Sequence, residues 1–313
     1  MYYPYFRGKQ YELIAIRENA HRMRETIVPI IEPVKRPMNG LRRAVDSLME
    51  HDCQFVIIAN PRCGEFDDGS EDLHKFLQEG DLSGYTNWSV GCIADADTTE
   101  DDIRTVADLH TDMTIIHAGF NSGASMASIV APLEDRLSRH VFIDGSSSAL
   151  YRRRFHGSNR VLIRDGFDLQ RNRDYKEVEH FSDLHVTYQD MGMSGFGDFL
   201  IVGEKYIDTG GPAYAVAIHL TFIDPKEDND MFVAHYLSDR QTSPVDPGGK
   251  FLEALAKLIT DTERTGSLIL PTDAVDEFKR LFRRRHYPGL GYVKKLSMQH
   301  HLELMAKFLG QRT

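Results

Sequence analysis

Polar and ionisable residues stand directly after a series of short apolar runs. In chain order they are Arg7, Gly8 and Lys9; Glu32 and Pro33; Asn60, Pro61 and Arg62; Asp95 and Asp97; His117; Asp144 and Gly145; Arg164, Asp165 and Gly166; and, at the last run, Gly197 and Asp198. Carboxylates with a histidine can hold a hard divalent ion, which then activates water or polarises a phosphoryl or carbonyl oxygen. On that reading Glu32, Asp95, Asp144 and Asp165 are the metal ligands, and the ion is Mg²⁺ or Mn²⁺. Without a metal, crowded carboxylates raise one another's pKa, giving an acid and a base from like residues. The candidates for catalysis are Glu32, His117, Asp144 and Asp198. Arg7, Lys9, Asn60, Arg62 and Arg164 are expected to hold a substrate phosphate or carboxylate. The residue types leave the metal and the metal-free chemistry both open. Asp-Gly pairs such as Asp144 with Gly145 and Asp165 with Gly166 are also ordinary turn chemistry, whereas Glu32 and His117 are poor turn residues. No H-E-x-x-H, G-x-S-x-G or G-x-x-x-x-G-K-[ST] motif narrows the choice.

Positioning such residues together requires elements that converge. Apolar runs of strand length, such as 27–31, 55–59, 88–94, 113–116, 141–143 and 161–163, alternate with helical stretches. In one of these, Leu41, Val45, Leu48 and Met49 share a face. Runs without polar alternation are the signature of strands buried on both faces, and their alternation with helices predicts βαβ units around a parallel sheet. Thr98, Thr99 and Ser70 are suitable N-caps. With 2–6 as the first run and 199–202 as the eighth, the pattern predicts a (β/α)8 barrel of the TIM type, whose active sites lie at the C-terminal strand ends. No G-x-G-x-x-G follows the first strand, and no nicotinamide or flavin motif is present.

Beyond residue 170 the pattern loosens. The stretch 168–190 reads as a long loop over one end of the barrel, and 214–223 with 231–236 as a β-hairpin. Phe251, Leu255, Leu258 and Ile259, then Phe278, Leu281 and Phe282, then Met298, Leu302, Met305 and Leu309 form three helical stripes expected to pack a core. The organisation expected is one elaborated domain over 1–313, with a core barrel at 1–205, the hairpin at 212–238 and C-terminal helices at 247–310. The glycines of 191–198 would let backbone amides approach an anion, or would only loosen the entry to the last strand.

The chain has 313 residues, with 37 Lys and Arg against 47 Asp and Glu, a net charge of -10. That balance excludes a whole-surface grip on nucleic acid. The only candidate contacts are basic runs, chiefly 280–295, which holds Arg280, Arg283, Arg284, Arg285, Lys294 and Lys295. A solvated helix face is the favoured reading there. No run is long enough to span a bilayer. The opening residues lack the features of a secretory signal, and Cys53, Cys63 and Cys92 have no ligand spacing, which points to a reduced cytoplasmic protein.

The segments YYPYFRGKQYEL (2–13), IIEPV (30–34) and GFGD (195–198) resemble the phage beta-protein-like family and its uncharacterised bacterial relatives in prophage and defence neighbourhoods. Arg7, Lys9, Glu32 and Asp198 fall in those segments. The resemblance implies a phage-linked or defence-linked setting and supplies no mechanism. The leading expectation is a barrel hydrolase or lyase acting on an anionic small molecule. The alternative is a catalytically silent binding or sensor subunit of a phage-defence or mobile-element module. Its partner would be a protein encoded nearby, met through the hairpin and the C-terminal helices.

Overall fold

The computed structural model describes residues 1–66, 69–208 and 211–311. The chain divides into two compact units, residues 1–164 with 187–198, and residues 165–186 with 199–313. The first unit runs β1 (Tyr5–Phe6), α1 (Gln10–Asn19), β2 (Ile30–Ile31), α2 (Asn39–Glu50), β3 (Phe55–Ile58), α3 (Glu71–Gln78), β4 (Trp88–Ala94), α4 (Glu100–Ala107), β5 (Met113–His117), α5 (Gly123–Val130), β6 (Leu137–Ile143), α6 (Ala149–Arg153) and β7 (Arg160–Ile163). The chain then enters the second unit, which holds β8 (Val178–Ser182), and returns through a short α7 (Leu184–Thr187) to β9 (Gly195–Gly197).

β1 to β7 and β9 pair in that order, all parallel. The Tyr3 amide donates to the Phe196 carbonyl at 2.8 Å and the Tyr5 amide to the Asp198 carbonyl at 2.9 Å, joining the last strand to the first. The result is a (β/α)8 barrel. Its strands are apolar because both faces are covered, and every residue of β3, β4 and β5 is buried. The helices bury one stripe each. In α2 the stripe is Leu41, Ala44, Val45 and Leu48. Thr99 caps α4 in a reciprocal box with Asp102, while Ser70 stands at the N-cap of α3 without a side-chain bond.

Two expectations need correction. The eighth strand is Gly195–Gly197, not 199–202, and Phe199, Leu200 and Ile201 are buried outside any strand. An apolar run was the wrong marker here, because the strand beside β1 has to be nearly free of side chains. A Cβ on Gly197 would lie 2.0 Å from the Tyr3 carbonyl oxygen, and one on Gly195 would lie 2.4 Å from the Tyr3 ring. The stretch 168–190 is not a loop throughout, since it carries β8 and α7. β8 is an edge strand with Val178 and His180 exposed, and its Glu179, His180 and Ser182 make it read as polar.

In the second unit β10 (Ala217–Asp224) and β11 (Asp230–Leu237) form the expected hairpin, and β8 joins β11 antiparallel. Ile218, Leu220, Phe222, Ala234 and Tyr236 pack against Phe251, Leu255 and Leu258 of α8 (Pro247–Glu263) and Phe278 and Leu281 of α9 (Asp273–Arg284). α10 (Leu290–Gly310) buries Leu296, Met298, Leu302, Met305 and Leu309. Among the described residues no helix is long and apolar enough to cross a membrane.

Gly197→Ala is expected to destabilise the protein by about 3 kcal/mol or more, because the clash is with backbone that cannot retreat without opening the barrel. Urea unfolding measures it, and a loss below about 1 kcal/mol would show that β9 can shift to accept a side chain.

Candidate functional site at the barrel mouth

Glu32 follows β2 and is fully buried. Its Oε2 accepts from the Tyr5 hydroxyl at 2.8 Å and from the Arg7 guanidinium, and its Oε1 accepts from the Arg62 amide at 2.7 Å. β1 thus presents Tyr5 and Arg7, two residues apart and on one face, to the end of the next strand. Burial pushes the Tyr5 phenol well above its ordinary value, and the neighbouring Glu32 pushes it further in the same direction. Burial opposes the charge on Arg7, but Tyr5 and Glu32 outweigh it and hold the guanidinium protonated. The Arg7 amide donates to Glu12, the third residue of α1, which fixes the loop after β1.

The network continues around the mouth. The Arg62 side chain donates through Nε to Asp95 at 2.8 Å and through Nη2 to the Thr98 hydroxyl at 2.9 Å. Thr98 in turn donates to Asp95 at 2.7 Å. Asn60 has a different task. Its amide pairs with both the N–H (2.8 Å) and the C=O (2.9 Å) of Ile93, tying the end of β3 to β4. After β6 and β7, Asp144 accepts from Arg164 Nε at 2.8 Å and from Arg152 Nη1 at 3.4 Å. The side chains of Arg62 and Arg164 are 40% and 31% exposed and those of Asp95 and Asp144 both 25%, so these four meet solvent.

The structure therefore brings Arg7, Glu32, Arg62 and Asp95 into one network, with Asp144 and Arg164 at neighbouring strand ends of the same barrel. It places the other candidates apart. His117 packs in an aromatic cluster with Phe142 and Phe155, its Nδ1 on the Tyr151 hydroxyl at 2.8 Å and its Nε2 on His140 Nδ1 at 3.0 Å. Burial drives both rings toward the neutral form, His117 well below its ordinary pKa and His140 down to about 4. Asp198 accepts from the Tyr2 hydroxyl at 2.7 Å, under the seam between β9 and β1. Lys9 stands at the N-cap of α1. Asp165 belongs to the second unit, where it accepts from the amides of Phe167 at 3.0 Å and Glu204 at 2.7 Å.

Glu32, Asp95 and Asp144 thus spend oxygens on guanidinium and amide donors. A Mg²⁺ or Mn²⁺ ion held by them would have to displace arginine, and an anion held by Arg62 or Arg164 would have to displace Asp95 or Asp144. Residue-type reasoning missed Tyr5, Thr98 and Arg152. The alternation of β1 marks Tyr5 as the partner of Arg7, and the basic run 152–154 contains Arg152. The glycines at 195 and 197 serve strand packing, and Cys53 and Cys92 are buried thiols pushed up to about 11 and about 12. No family model, curated protein or solved structure matches the chain.

Two outcomes follow from these environments. Glu32→Ala strands the buried Arg7 charge and is expected to cost about 3–5 kcal/mol in denaturant unfolding, with Arg7→Met in the same chain restoring part of the loss. His140, His235 and His300 each have a folded pKa of about 4, against about 6.5 unfolded. Between those values the unfolded chain binds more protons, so stability is complete above pH 6.5 and is lost as pH falls toward 4. Each ring contributes up to about 1.4 kcal/mol per pH unit. Thermal unfolding of His140→Gln should show a shallower acid loss than the parent, and an unchanged slope would contradict the assignment.

Proposed function

We propose that this barrel is an enzyme, a hydrolase or lyase, that acts on a small molecule bearing a phosphate or carboxylate at its mouth. The observation that carries the reading is the network of Tyr5, Glu32, Arg7, Arg62 and Asp95 across the C-terminal ends of the first four strands. A carboxylate with no solvent exposure beside a nearly buried guanidinium is costly, and structural turns do not require it. Glu32 then acts as a positioning residue, fixing Arg7 and the Arg62 amide. Arg62 and Arg164 have the exposure to bind the anion, and Asp95 and Asp144 have the exposure to exchange protons.

A second reading, a binding subunit, has its own observation. In the second unit a cleft of about 1120 Å³ lies between β11 and α8, floored by Ala234, Leu252 and Ala256, with Val178 of the edge strand β8 in its wall. An extended segment of a partner protein, paired to the outer edge of β8, would cover that floor. The prophage or defence setting rests on the sequence resemblance alone. The arginines at 283 to 285 complement the C-terminal end of α9, and a nucleic-acid contact there would weaken steeply with salt.

The discriminating experiment is thermal unfolding of the purified chain with inorganic phosphate, pyrophosphate, sugar phosphates, nucleotides and di- and tricarboxylates, with and without Mg²⁺ or Mn²⁺. A ligand at a hundredfold excess over Kd stabilises by about 2.7 kcal/mol. The expected result is a shift that Arg62→Ala or Arg164→Ala abolishes while folding is retained. A shift that survives both substitutions would remove the mouth as the site. Stabilisation only by an extended peptide, lost on Lys257→Glu, would favour the binding subunit.

A further inference from the structure

The second unit keeps an open cleft of about 1120 Å³ along α8, more than the roughly 300–1,000 Å³ of a pocket for one drug-sized molecule. Contacts at its two ends give its direction. Near the C-terminal end of α8, Asp261 accepts from the Tyr236 hydroxyl at 2.7 Å, and the neighbouring His235 donates its amide to the Glu177 carbonyl at 2.8 Å. Near the N-terminal end, Tyr287 packs on Phe251, and a Cβ on Gly248 would lie 3.4 Å from the Tyr287 ring. Glu177 therefore lines the cleft by one end of the helix and Arg285 by the other. From Gly248 to Asp261 the helix rises about 20 Å.

Most charges along the cleft are matched within the chain. Arg240 pairs with Glu253 at 2.5 Å and Asp246 at 3.0 Å, Lys257 with Asp239 at 2.7 Å, and Arg264 with Asp261 at 2.9 Å. Two are not. Arg285 and Glu177 are exposed, and among the described residues neither side chain has an ion pair or hydrogen bond. The C-terminal end of α9 offers Arg285 only about half a negative charge. Leu252 and Ala256 lie on α8 between the two ends, and Val178 and Phe282 on the walls keep 48% and 36% of their surface exposed. β8 also leaves an open edge on this cleft. Because the Glu177 carbonyl bonds to β11, the alternation of an antiparallel pair turns the amides and carbonyls of Val178 and His180 outward, and among the described residues no backbone group meets them.

Resting on the binding-subunit reading, we propose that the cleft takes an extended segment of a partner protein with an acidic side chain for Arg285, a basic one for Glu177 and apolar residues between. At about 3.3 Å per residue the two charges stand about six residues apart. An extended segment fits because it can pair with the β8 edge as an added strand. The five carboxylates of the lining oppose a nucleic-acid strand, which would need a row of unopposed cations.

The test is selection on the full chain from a displayed library of random dodecapeptides. Enriched peptides are expected to carry an acidic and a basic residue about six apart with apolar residues between. A selected peptide, followed by fluorescence anisotropy, should bind up to about fivefold more weakly to Arg285→Glu and to Glu177→Lys, the scale of one exposed ion pair. Both sites are exposed, so these chains should fold. Selection on Arg285→Glu should exchange the acidic residue for a basic one. Val178→Pro removes an outward amide, leaves the Glu177 bond to β11 in place, and should weaken every selected peptide. Peptides that distinguish the parent from Val178→Pro yet show no charge preference would overturn the charge pairing and leave the extended-segment reading standing. If no peptide distinguishes them, both fall. A parent chain that is dimeric in light scattering and monomeric as Val178→Pro would give the edge to a second copy and overturn the proposal, as would selective binding of a DNA duplex through Arg285.

Discussion

A parallel barrel closes only when its last strand can lie against its first, and in this chain that contact leaves no space for a side chain. Tyr3 occupies the positions that a Cβ on Gly195 or Gly197 would take. Its amide and that of Tyr5 then meet the carbonyls of Phe196 and Asp198. Everything at the mouth depends on this seam. It sets β1 in register with β2, which brings Tyr5 and Arg7 to Glu32, and the backbone after β3 brings the Arg62 amide to the same carboxylate.

The mouth and the histidine cluster illustrate two ways to bury polar groups. At the mouth, charges are kept and matched. Glu32 is neutralised by Arg7, Asp95 by Arg62, and Asp144 by Arg164 and Arg152. In the cluster of His117, His140 and Tyr151, burial removes the charges instead, and neutral rings share hydrogen bonds while stacking on Phe142 and Phe155. His219 and His235 in the second unit repeat the second solution, paired through their Nδ1 atoms at 2.7 Å under Tyr175. The partly exposed arginines of the mouth, Arg62 and Arg164, are the groups on which the proposed anion site rests.

Much of the architecture was legible along the chain. Continuous apolar runs separated by amphipathic stretches mark strands covered on both faces, and their repetition is a barrel signature. The stripes of α8, α9 and α10 were likewise readable from spacing alone, except for Phe282, which was expected in the core and is exposed, because it stands in the last turn of α9 and lines the cleft. The eighth strand was not legible, because its defining property is a lack of side chains rather than a run of apolar ones. Nor was β8, whose exposed face makes it look like a loop. At the site, residue type and position after a strand picked out Arg7, Glu32, Arg62, Asp95, Asp144 and Arg164 correctly as strand-end residues, but could not say which way a side chain turns.

Sequence by itself therefore determined the periodicity, the strand-end polar set and the three apolar helices, since each follows from local spacing and solvent preference. Only the tertiary structure decided partners. That Glu32 meets the Arg7 guanidinium and that His117 stays neutral in a ring stack both depend on residues 23 or more positions away, such as Arg7 from Glu32 or His140 from His117. Electrostatic energies fall steeply with distance and rise with burial, so a group's chemistry is set by neighbours that only the closed barrel brings within reach.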